Sequence, residues 1–364
     1  MQVSVLGMGC SPIGHSYGVA DEETAIKTVH AAYAAGINLF DVSPYYGSGR
    51  AEQLLGAAIK SLPREDIIVC TKIGKYSPDE APDYSADRVR ASISASMQRL
   101  GVSYIDILHC HDIEFCPDMR QIVDETLPVL QQLKQQGVIR AIGITGYPLD
   151  IFSYILDKVP AGTVDVVLSY CHNSLHDTSL LELLPYLQAK GVGVISAAPL
   201  CMGLWRPQGP EPWHPAPPAL QEAARQCAQL AAAGGVSLPR LAVKAAVQQA
   251  GSGVAVHLMG MAKPEEVSDN VAVMLDMYNT HGSAGKAPEK QGTIQEEQQQ
   301  EELSNNTGSC AGAECGDGES SGMQKKAAAA GLSAQEVATL AEIRRVLQPV
   351  ANVTWPVGVT GNRK

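Results

Sequence analysis

The sequence has few basic residues for its size, and this excludes several classes of partner. Its 364 residues include 27 Lys and Arg against 38 Asp and Glu, which gives a formal net charge of −11. Proteins that bind nucleic acids or anionic lipids concentrate positive charge where they meet phosphate groups. Also absent is any apolar run of the roughly 18 to 20 residues that a membrane helix requires. We therefore expect neither nucleic acid nor a membrane as a partner.

Paired cysteine motifs are also missing. The nine cysteines are scattered without CxxC pairs, and several, such as Cys70, interrupt apolar segments. We interpret them as reduced thiols of an intracellular protein, and we expect no metal site. The start of the sequence, MQVSVLGMGC, contains no basic region before Lys27. We therefore expect no secretory signal and a cytoplasmic location.

What the sequence does contain is an alternation of short apolar runs and amphipathic segments up to about residue 277. Eight runs are rich in Val and Ile and too continuous for strands with one wet face, which is typical of buried parallel strands. They span 3–9, 37–41, 67–72, 104–111, 139–145, 164–170, 192–198 and 254–260. Helical patterns lie between them, among others at 22–36, 51–62, 86–101, 119–137 and 178–191. Because no GxGxxG motif opens a helix, the pattern favours an α/β fold of the TIM (β/α)₈ barrel type over an open doubly wound sheet.

We divide the chain into three parts. Residues 1–280 are predicted to form the barrel domain. Residues 281–330 are rich in Gly, Ser, Gln, Glu and Ala and nearly free of large apolar side chains. Such a segment cannot bury enough surface to offset its ordering entropy, so we predict a disordered insertion. Residues 331–364 contain a capped helical pattern at 333–348 and an apolar tail, and we expect them to pack on the barrel.

Asp41, Lys72 and His111 end the second, third and fourth apolar runs, and Tyr46 follows Asp41 by five residues, which gives four chemically active side chains. Barrel enzymes keep their active sites at these strand ends, so the four should converge on one mouth. Each alone has an ordinary structural explanation, such as support of a turn. Together, a phenol, an ammonium, a carboxylate and an imidazole can move a proton at a reacting oxygen while a cofactor takes the hydride. We expect His109 to face away from His111 and to be structural.

Several strand-end motifs resemble, in order and spacing, those of the aldo-keto reductases. The motifs are FDVSPYYG (40–47), TK (71–72), YIDILHCH (104–111) and IRAIGIT (139–145). The resemblance covers nearly the whole chain apart from the insertion. It implies a barrel of the aldo-keto reductase type, a nicotinamide cofactor and a catalytic tetrad of Asp41, Tyr46, Lys72 and His111. In this tetrad Tyr46 is the proton-transfer residue.

A narrower resemblance is to one branch of that family, the plant-type L-galactose dehydrogenases. The segments that carry it are LHCHDIEF (108–115), ITGYPLDIF (144–152), DVVLSYCH (165–172), GVGVISAAPL (191–200), EPWHPA (211–216) and VTWPVG (353–358). It implies NAD-dependent oxidation of C1 of L-galactose to the galactonolactone, a step of ascorbate synthesis. Two alternatives stay open: a broad NADP-dependent aldehyde reductase and a nicotinamide-binding regulatory subunit. For the enzyme, we expect a monomer or a dimer.

The resemblance also implies contacts for the cofactor. The segment HLMGMAKPEEVSDN (257–270) is similar to the family's signature for the adenosine end. The expected cofactor contacts are Thr145, Ser169, Pro199, Leu200, Gly260, Met261, Lys263, Glu266 and Asn270. Glu266 favours NAD because a carboxylate accepts hydrogen bonds from ribose hydroxyls and repels a 2′-phosphate, whereas Lys263 could meet that phosphate. Thr145 and Gly146 stand where many relatives carry a Ser-Asn pair for the carboxamide.

The expected substrate contacts come from two places. His172 follows the sixth apolar run together with Asn173 and His176, and we expect this cluster to contact sugar hydroxyls or the cofactor amide. Trp355 lies on the C-terminal tail, where it could close over the substrate or fasten the tail. A polar rim with one or two aromatic walls suits a substrate dense in hydroxyls.

Overall fold

A computed structural model describes residues 1–14, 21–279 and 331–356 of the chain. Eight parallel strands form a closed barrel in which each strand pairs with the next and the last pairs with the first. The strands are β1 Leu6–Gly9, β2 Leu39–Asp41, β3 Ile68–Ile73, β4 Ile105–Cys110, β5 Ile139–Gly146, β6 Val166–Tyr170, β7 Gly193–Ala197 and β8 Val256–Gly260. Each predicted apolar run corresponds to one strand, so the predicted TIM barrel is confirmed.

Helices follow the strands and cover the outside of the barrel. They are α1 Glu22–Ala34, α2 Arg50–Ile59, α3 Ala86–Leu100, α4 Met119–Gln121, α5 Leu127–Gln135, α6 Asp150–Leu156, α7 Ser179–Ala189, α8 Pro218–Ala233, α9 Leu238–Ala250, α10 Pro264–Asn279 and α11 Ala334–Leu347. A π-helical turn, Ile122–Thr126, joins α4 to α5, so the helical pattern predicted at 119–137 is not uniformly α-helical. Among the helices of the described ranges, none is alone long and apolar enough to span a membrane. Only α8 and Leu238–Gly253 together pass that test of length and composition, and they are bent by 104°.

Short-range sequence signals set the helix ends. Asp21 precedes α1 and accepts a hydrogen bond from the backbone N–H of Thr24 at 2.8 Å, as an N-cap residue does. Ser333 and Glu336 form a reciprocal capping box at the start of α11. Gly101 ends α3 in the left-handed conformation, with φ of 68°, which glycine adopts without a steric penalty.

The alternation of side chains along the strands divides the core into two layers. One set points into the barrel and forms a small apolar cluster that includes Leu39, Cys70, Ile107 and Leu258. The other set points outward and packs against the helices in larger clusters. The barrel interior is therefore filled by side chains, and barrel folds of this type bind their ligands at the C-terminal mouth.

The segment after residue 331 packs on the outside of the barrel. Helix α11 lies against α8 and buries Leu340, Ile343 and Leu347. The predicted C-terminal helix is confirmed. The predicted insertion at 281–330 lies outside the described residues, as does the chain from residue 357 onward.

A buried carboxylate ties three strands together. Asp106 in β4 is fully buried and accepts hydrogen bonds from Arg64 at 2.5 Å, from Arg140 at 3.0 Å and from the Val69 backbone N–H at 3.0 Å. Both guanidinium groups also lie on the Tyr104 ring, 3.9 and 4.1 Å from its centroid. Because every lost partner would leave a polar group unpaired, this cluster is expected to be sensitive to substitution.

We predict that Asp106→Ala lowers the free energy of unfolding by about 2–4 kcal/mol, because it removes a buried charge that satisfies three donors. The measurement is urea unfolding followed by circular dichroism. The matched control is Glu80→Ala, which breaks an exposed ion pair with Arg88 and should cost less than about 1 kcal/mol. Equal losses in the two variants would contradict the prediction.

Candidate active site

The barrel topology brings the four predicted catalytic side chains to one mouth. Asp41 is the last residue of β2, Lys72 lies near the end of β3, and His111 directly follows β4. Tyr46 lies in the turn between β2 and α2. Since the carboxyl ends of neighbouring parallel strands meet at the same rim, strand order alone makes the four neighbours.

An ion pair lies at the centre of this arrangement. The Nζ atom of Lys72 donates to Oδ1 of Asp41 at 2.5 Å and to the backbone carbonyl of Val42 at 2.8 Å. Both side chains of the pair are almost fully buried. The same Nζ atom lies 5.0 Å from the centroid of the Tyr46 ring. The ammonium is thus fixed at one edge of the pocket and aimed at the phenol.

Burial and neighbouring charges shift the pKa values of Lys72 and Tyr46 in opposite directions. Burial alone would lower the pKa of Lys72, but Asp41 and Tyr46 outweigh it and the pKa is raised, so the ammonium keeps its proton. Burial raises the pKa of Tyr46, while Lys72 pulls that pKa down. The sequence-based expectation that the ammonium favours the phenolate is correct for the effect of Lys72. In the protein without ligand, however, burial dominates and the phenol stays protonated.

The imidazole of His111 is neutral and oriented by contacts on two sides. Its ring is perpendicular to the Tyr46 ring, with centroids 5.8 Å apart, and its Nδ1 atom lies 3.2 Å from Oγ of Ser43. Burial lowers the pKa of His111 to about 3, with Asp112 acting in the opposite direction. With Nδ1 engaged by Ser43, the Nε2 atom is the one available to a substrate oxygen.

The expectation that His109 faces away from His111 is wrong, whereas its structural role stays a prediction. Residues two apart on a strand point to the same side, so His109 faces the barrel interior as His111 does. It is fully buried, and neither ring nitrogen has a hydrogen-bond partner among the described residues. Potential ligand atoms of His109, Cys70 and Asp41 lie within 4.8 Å of one another. Burial lowers the pKa of His109 and raises that of Cys70, so the floor beneath the ion pair consists of neutral groups.

Two charged residues at the rim were not foreseen. Asp112 follows His111 directly, and its Oδ2 atom lies 2.7 Å from Nζ of Lys75 and 3.7 Å from Nε2 of His111. The Thr145 hydroxyl, which stays a predicted cofactor contact, lies 3.2 Å from Oδ1 of Asp112 and accepts the Asp112 backbone N–H at 2.8 Å. The sequence offers one signal for Asp112, because an acidic residue directly after a strand-end histidine lies close to the mouth.

Besides the barrel mouth there is a second recess, of about 220 Å³, and some of the predicted cofactor contacts line it. Its lining is formed by residues from the loop after β7 and from α9 and α10: Leu200, Ser237, Pro239, Arg240, Val243, Glu266, Asp269, Asn270 and Val273. Leu200, Glu266 and Asn270 were expected here, whereas Ser237 and Arg240 were not. The recess lies beside the N-terminal turn of α10, a position that suits the phosphate and ribose of a nucleotide. The residues present therefore fit the adenosine end of a dinucleotide.

Local hydrogen bonds occupy some of the polar groups around this recess. Oε2 of Glu266 accepts the Ala262 backbone N–H at 2.7 Å, and Nδ2 of Asn270 donates to the Glu266 carbonyl at 2.9 Å. Arg240 lies 3.6 Å from Asp269 and 3.5 Å from Asp276. Glu266 thus helps to hold the turn before α10 and still presents its charge to the recess.

The other predicted cofactor contacts lie outside the residues that line this recess. Gly260 is exposed at the end of β8, Met261 is fully buried, and Lys263 is exposed. Pro199 is buried in the loop after β7. The hydroxyl of Ser169 in β6 is buried without a hydrogen-bond partner among the described residues.

The two predicted substrate contacts meet in one aromatic cluster. Nδ1 of His172 lies 2.8 Å from a carboxylate oxygen of Asp177, and the His172 ring lies 4.7 Å from the Tyr147 ring. Trp355 is buried, its ring lies 5.7 Å from the Tyr147 ring, and its backbone N–H donates to the Tyr147 hydroxyl at 3.3 Å. His176 stacks on Trp355. This burial fits the interpretation of Trp355 as the residue that fastens the tail.

The closed barrel and the side chains at its mouth define an oxidoreductase. Comparison with known proteins agrees: the model of the aldo/keto reductase family matches residues 5–280. The chain therefore belongs to the aldo/keto reductase family, whose members bind a nicotinamide cofactor.

Individual relatives lie within the same family. L-galactose dehydrogenase of Arabidopsis thaliana is 43% identical over 364 residues, which cover 100% of this chain and 96% of that protein. D-arabinose 1-dehydrogenase of Saccharomyces cerevisiae is 34% identical over 298 residues, covering 78% and 85%. Among solved structures, the holo form of an aldo-keto reductase from Bacillus halodurans matches with a TM-score of 0.61 and 26% identity, over 75% of this chain and 87% of that one.

We predict that His111 stays neutral between pH 5 and pH 8 in the free protein, because burial holds its pKa near 3. Histidine in an unfolded chain titrates near 6.5, so the stability from the neutral ring is complete above about pH 6.5 and is lost as the pH falls toward 3. NMR of the ring, assigned with His111→Gln, should show no titration in this range. An inflection between pH 5 and pH 8 would contradict a neutral imidazole.

Proposed function

We propose that this protein is an NAD-dependent dehydrogenase that oxidises C1 of L-galactose to L-galactono-1,4-lactone, a step of ascorbate synthesis. The observation that carries the proposal is the Lys72–Asp41 ion pair beside Tyr46, with a neutral His111 facing the phenol. The polar rim formed by Asp112 and Lys75 supports a substrate rich in hydroxyl groups. The similarity to L-galactose dehydrogenase of Arabidopsis thaliana, at 43% identity, supports the choice of sugar.

In this proposal the Tyr46 phenol first gives up its own proton to solvent, and the resulting phenolate accepts the proton of the anomeric hydroxyl. Burial raises the pKa of Tyr46, so ionisation of the phenol depends on the fixed ammonium of Lys72. Asp41 and the Val42 carbonyl keep that ammonium in place and charged. His111 binds the reacting oxygen through Nε2 and orients it toward Tyr46. When bound, the nicotinamide cofactor supplies the hydride acceptor.

The charges around the second recess support NAD over NADP. Glu266 and Asp269 face the recess together with Arg240, and Arg240 is balanced by Asp269 and Asp276. The recess therefore has no surplus positive charge to pair with a 2′-phosphate, and Glu266 would repel one. Lys263 is exposed and is not among the residues that line the recess. The ribose hydroxyls of NAD can instead donate to the carboxylates.

We predict that the purified protein reduces NAD⁺ in the presence of L-galactose, and that it does so much faster than with NADP⁺ or with D-galactose. The measurement is absorbance at the NADH band under matched concentrations of both cofactors and both sugars. If the protein instead reduces simple aldehydes with NADPH and does not oxidise L-galactose, it is a broad aldehyde reductase and the proposal is wrong. Cofactor binding without turnover of any sugar or aldehyde would favour a regulatory subunit.

We predict that Tyr46→Phe removes nearly all turnover and leaves cofactor binding within about threefold, because only the hydroxyl that exchanges the proton is lost. Steady-state rates and cofactor titration by protein fluorescence measure the two effects. The matched control is Tyr45→Phe, which removes a hydroxyl from the neighbouring ring. Retention of a third of the activity in Tyr46→Phe would contradict the proton-transfer role.

A further inference from the structure

One acidic side chain at the mouth has no part in the mechanism above. Asp112 belongs to the segment LHCHDIEF and stands directly after His111. Its side chain is 26% exposed, so its carboxylate reaches the mouth, although much of the residue is enclosed. Burial opposes its ionisation, but His111 and Lys75 lower the pKa of Asp112 to about 2. Asp112 is therefore ionised at neutral pH, with its charge paired to the Lys75 ammonium.

The position of this carboxylate is fixed by its surroundings. Oδ2 accepts from Lys75 at 2.7 Å, and Oδ1 accepts from the Thr145 hydroxyl at 3.2 Å. The Asp112 backbone N–H donates to the same Thr145 oxygen at 2.8 Å, and its carbonyl accepts from the Tyr84 hydroxyl at 2.9 Å. The backbone of Asp112 is left-handed, with φ of 46°, a conformation that costs free energy in a residue with a side chain. Such strain persists where surrounding contacts hold it.

The carboxylate keeps hydrogen-bonding capacity toward the substrate. An ionised carboxylate offers about four acceptor sites, and Lys75 and Thr145 use one on each oxygen. The Lys75 ammonium is itself held over two rings, 4.6 Å from the Tyr45 centroid and 4.0 Å from the Phe115 centroid. The cation is therefore kept beside Asp112 by aromatic faces as well as by charge.

The decisive distance is the one to His111. Oδ2 of Asp112 lies 3.7 Å from Nε2 of His111, the atom assigned to the reacting oxygen. A substrate with hydroxyls on adjacent carbons carries two oxygens at a comparable short separation. One of them can bind Nε2 while its neighbour donates to the carboxylate.

We propose that Asp112 is the specificity-determining residue that binds the hydroxyl on the carbon next to the reacting carbon. Lys75 and Thr145 position it. A substrate without that hydroxyl leaves a desolvated carboxylate short of a donor, and this penalty produces discrimination. The inference deepens the proposed function, on which it rests for the identity of the sugar, but it applies to any 2-hydroxylated aldehyde that the site accepts.

The test uses pairs of compounds that differ only by this hydroxyl. The first pair is lactaldehyde, as each enantiomer, and propanal, reduced with NADH or NADPH. The second pair is L-galactose and 2-deoxy-L-galactose, oxidised with NAD⁺ or NADP⁺. We expect the unsubstituted protein to prefer the hydroxylated member of a pair in kcat/KM. Asp112→Asn should lower that preference by about 10- to 100-fold, the usual range for one hydrogen bond to a charged group.

The variants are chosen to separate binding from folding. Asparagine tolerates the left-handed backbone and matches the shape of aspartate. The midpoint temperature of unfolding of Asp112→Asn should therefore lie close to that of the unsubstituted protein. Lys75→Met leaves Asp112 in place without its cation and should change the preference in the same direction. Asp118→Asn removes an exposed carboxylate from the same loop. It should leave the preference in kcat/KM unchanged for both pairs.

The outcomes distinguish this inference from the proposed function. If L-galactose is not oxidised but the aldehyde pair responds to Asp112→Asn, the sugar assignment fails and the role of Asp112 stands. If Asp112→Asn slows both members of a pair equally, the residue is structural and the inference is overturned. It is also overturned if the unsubstituted protein shows no preference for the hydroxylated member of either pair.

Discussion

The candidate active site depends on a single buried contact, the ion pair between Lys72 and Asp41. Removing two charges from water is costly, and a buried pair persists only where geometry and further hydrogen bonds compensate. Here the Val42 carbonyl supplies the additional acceptor for the ammonium. Asp41 ends β2 and Lys72 lies one residue before the end of β3. Because backbone hydrogen bonds fix the register of these adjacent strands, the barrel sets the separation of the two side chains. The position of Tyr46 relative to this charge follows from the turn that begins at Asp41.

Much of the fold and the core of the site could be predicted from the sequence. Strands buried on both faces appear as continuous apolar runs, and the barrel rule then places every strand end at the same mouth. That reasoning is enough for Asp41, Lys72 and His111, which lie in or next to strands. The same two-residue period also gives the inward direction of His109, contrary to our expectation that it faces away from His111.

The rim could not be predicted in the same way, because loops have no period. The partnership of Asp112 with Lys75 joins loops after two strands, and nothing in either segment alone indicates it. The family resemblance implies Thr145 as a cofactor contact, and nothing in the sequence indicates that its hydroxyl also contacts Asp112. Arg240 lies on α9, and only the packing of α9 against α10 brings it to the predicted contacts Glu266 and Asn270. Such contacts depend on tertiary packing, and short-range sequence signals do not encode them.

The contact between Trp355 and Tyr147 spans 208 positions of the chain. Trp355 also stacks on His176, so one side chain near the end of the described residues covers rings that follow two different strands. A chain shortened before Trp355 would leave these rings open to water, and newly exposed aromatic surface favours association between molecules. The last described segment therefore affects how the protein behaves in concentrated solution as well as how stable it is.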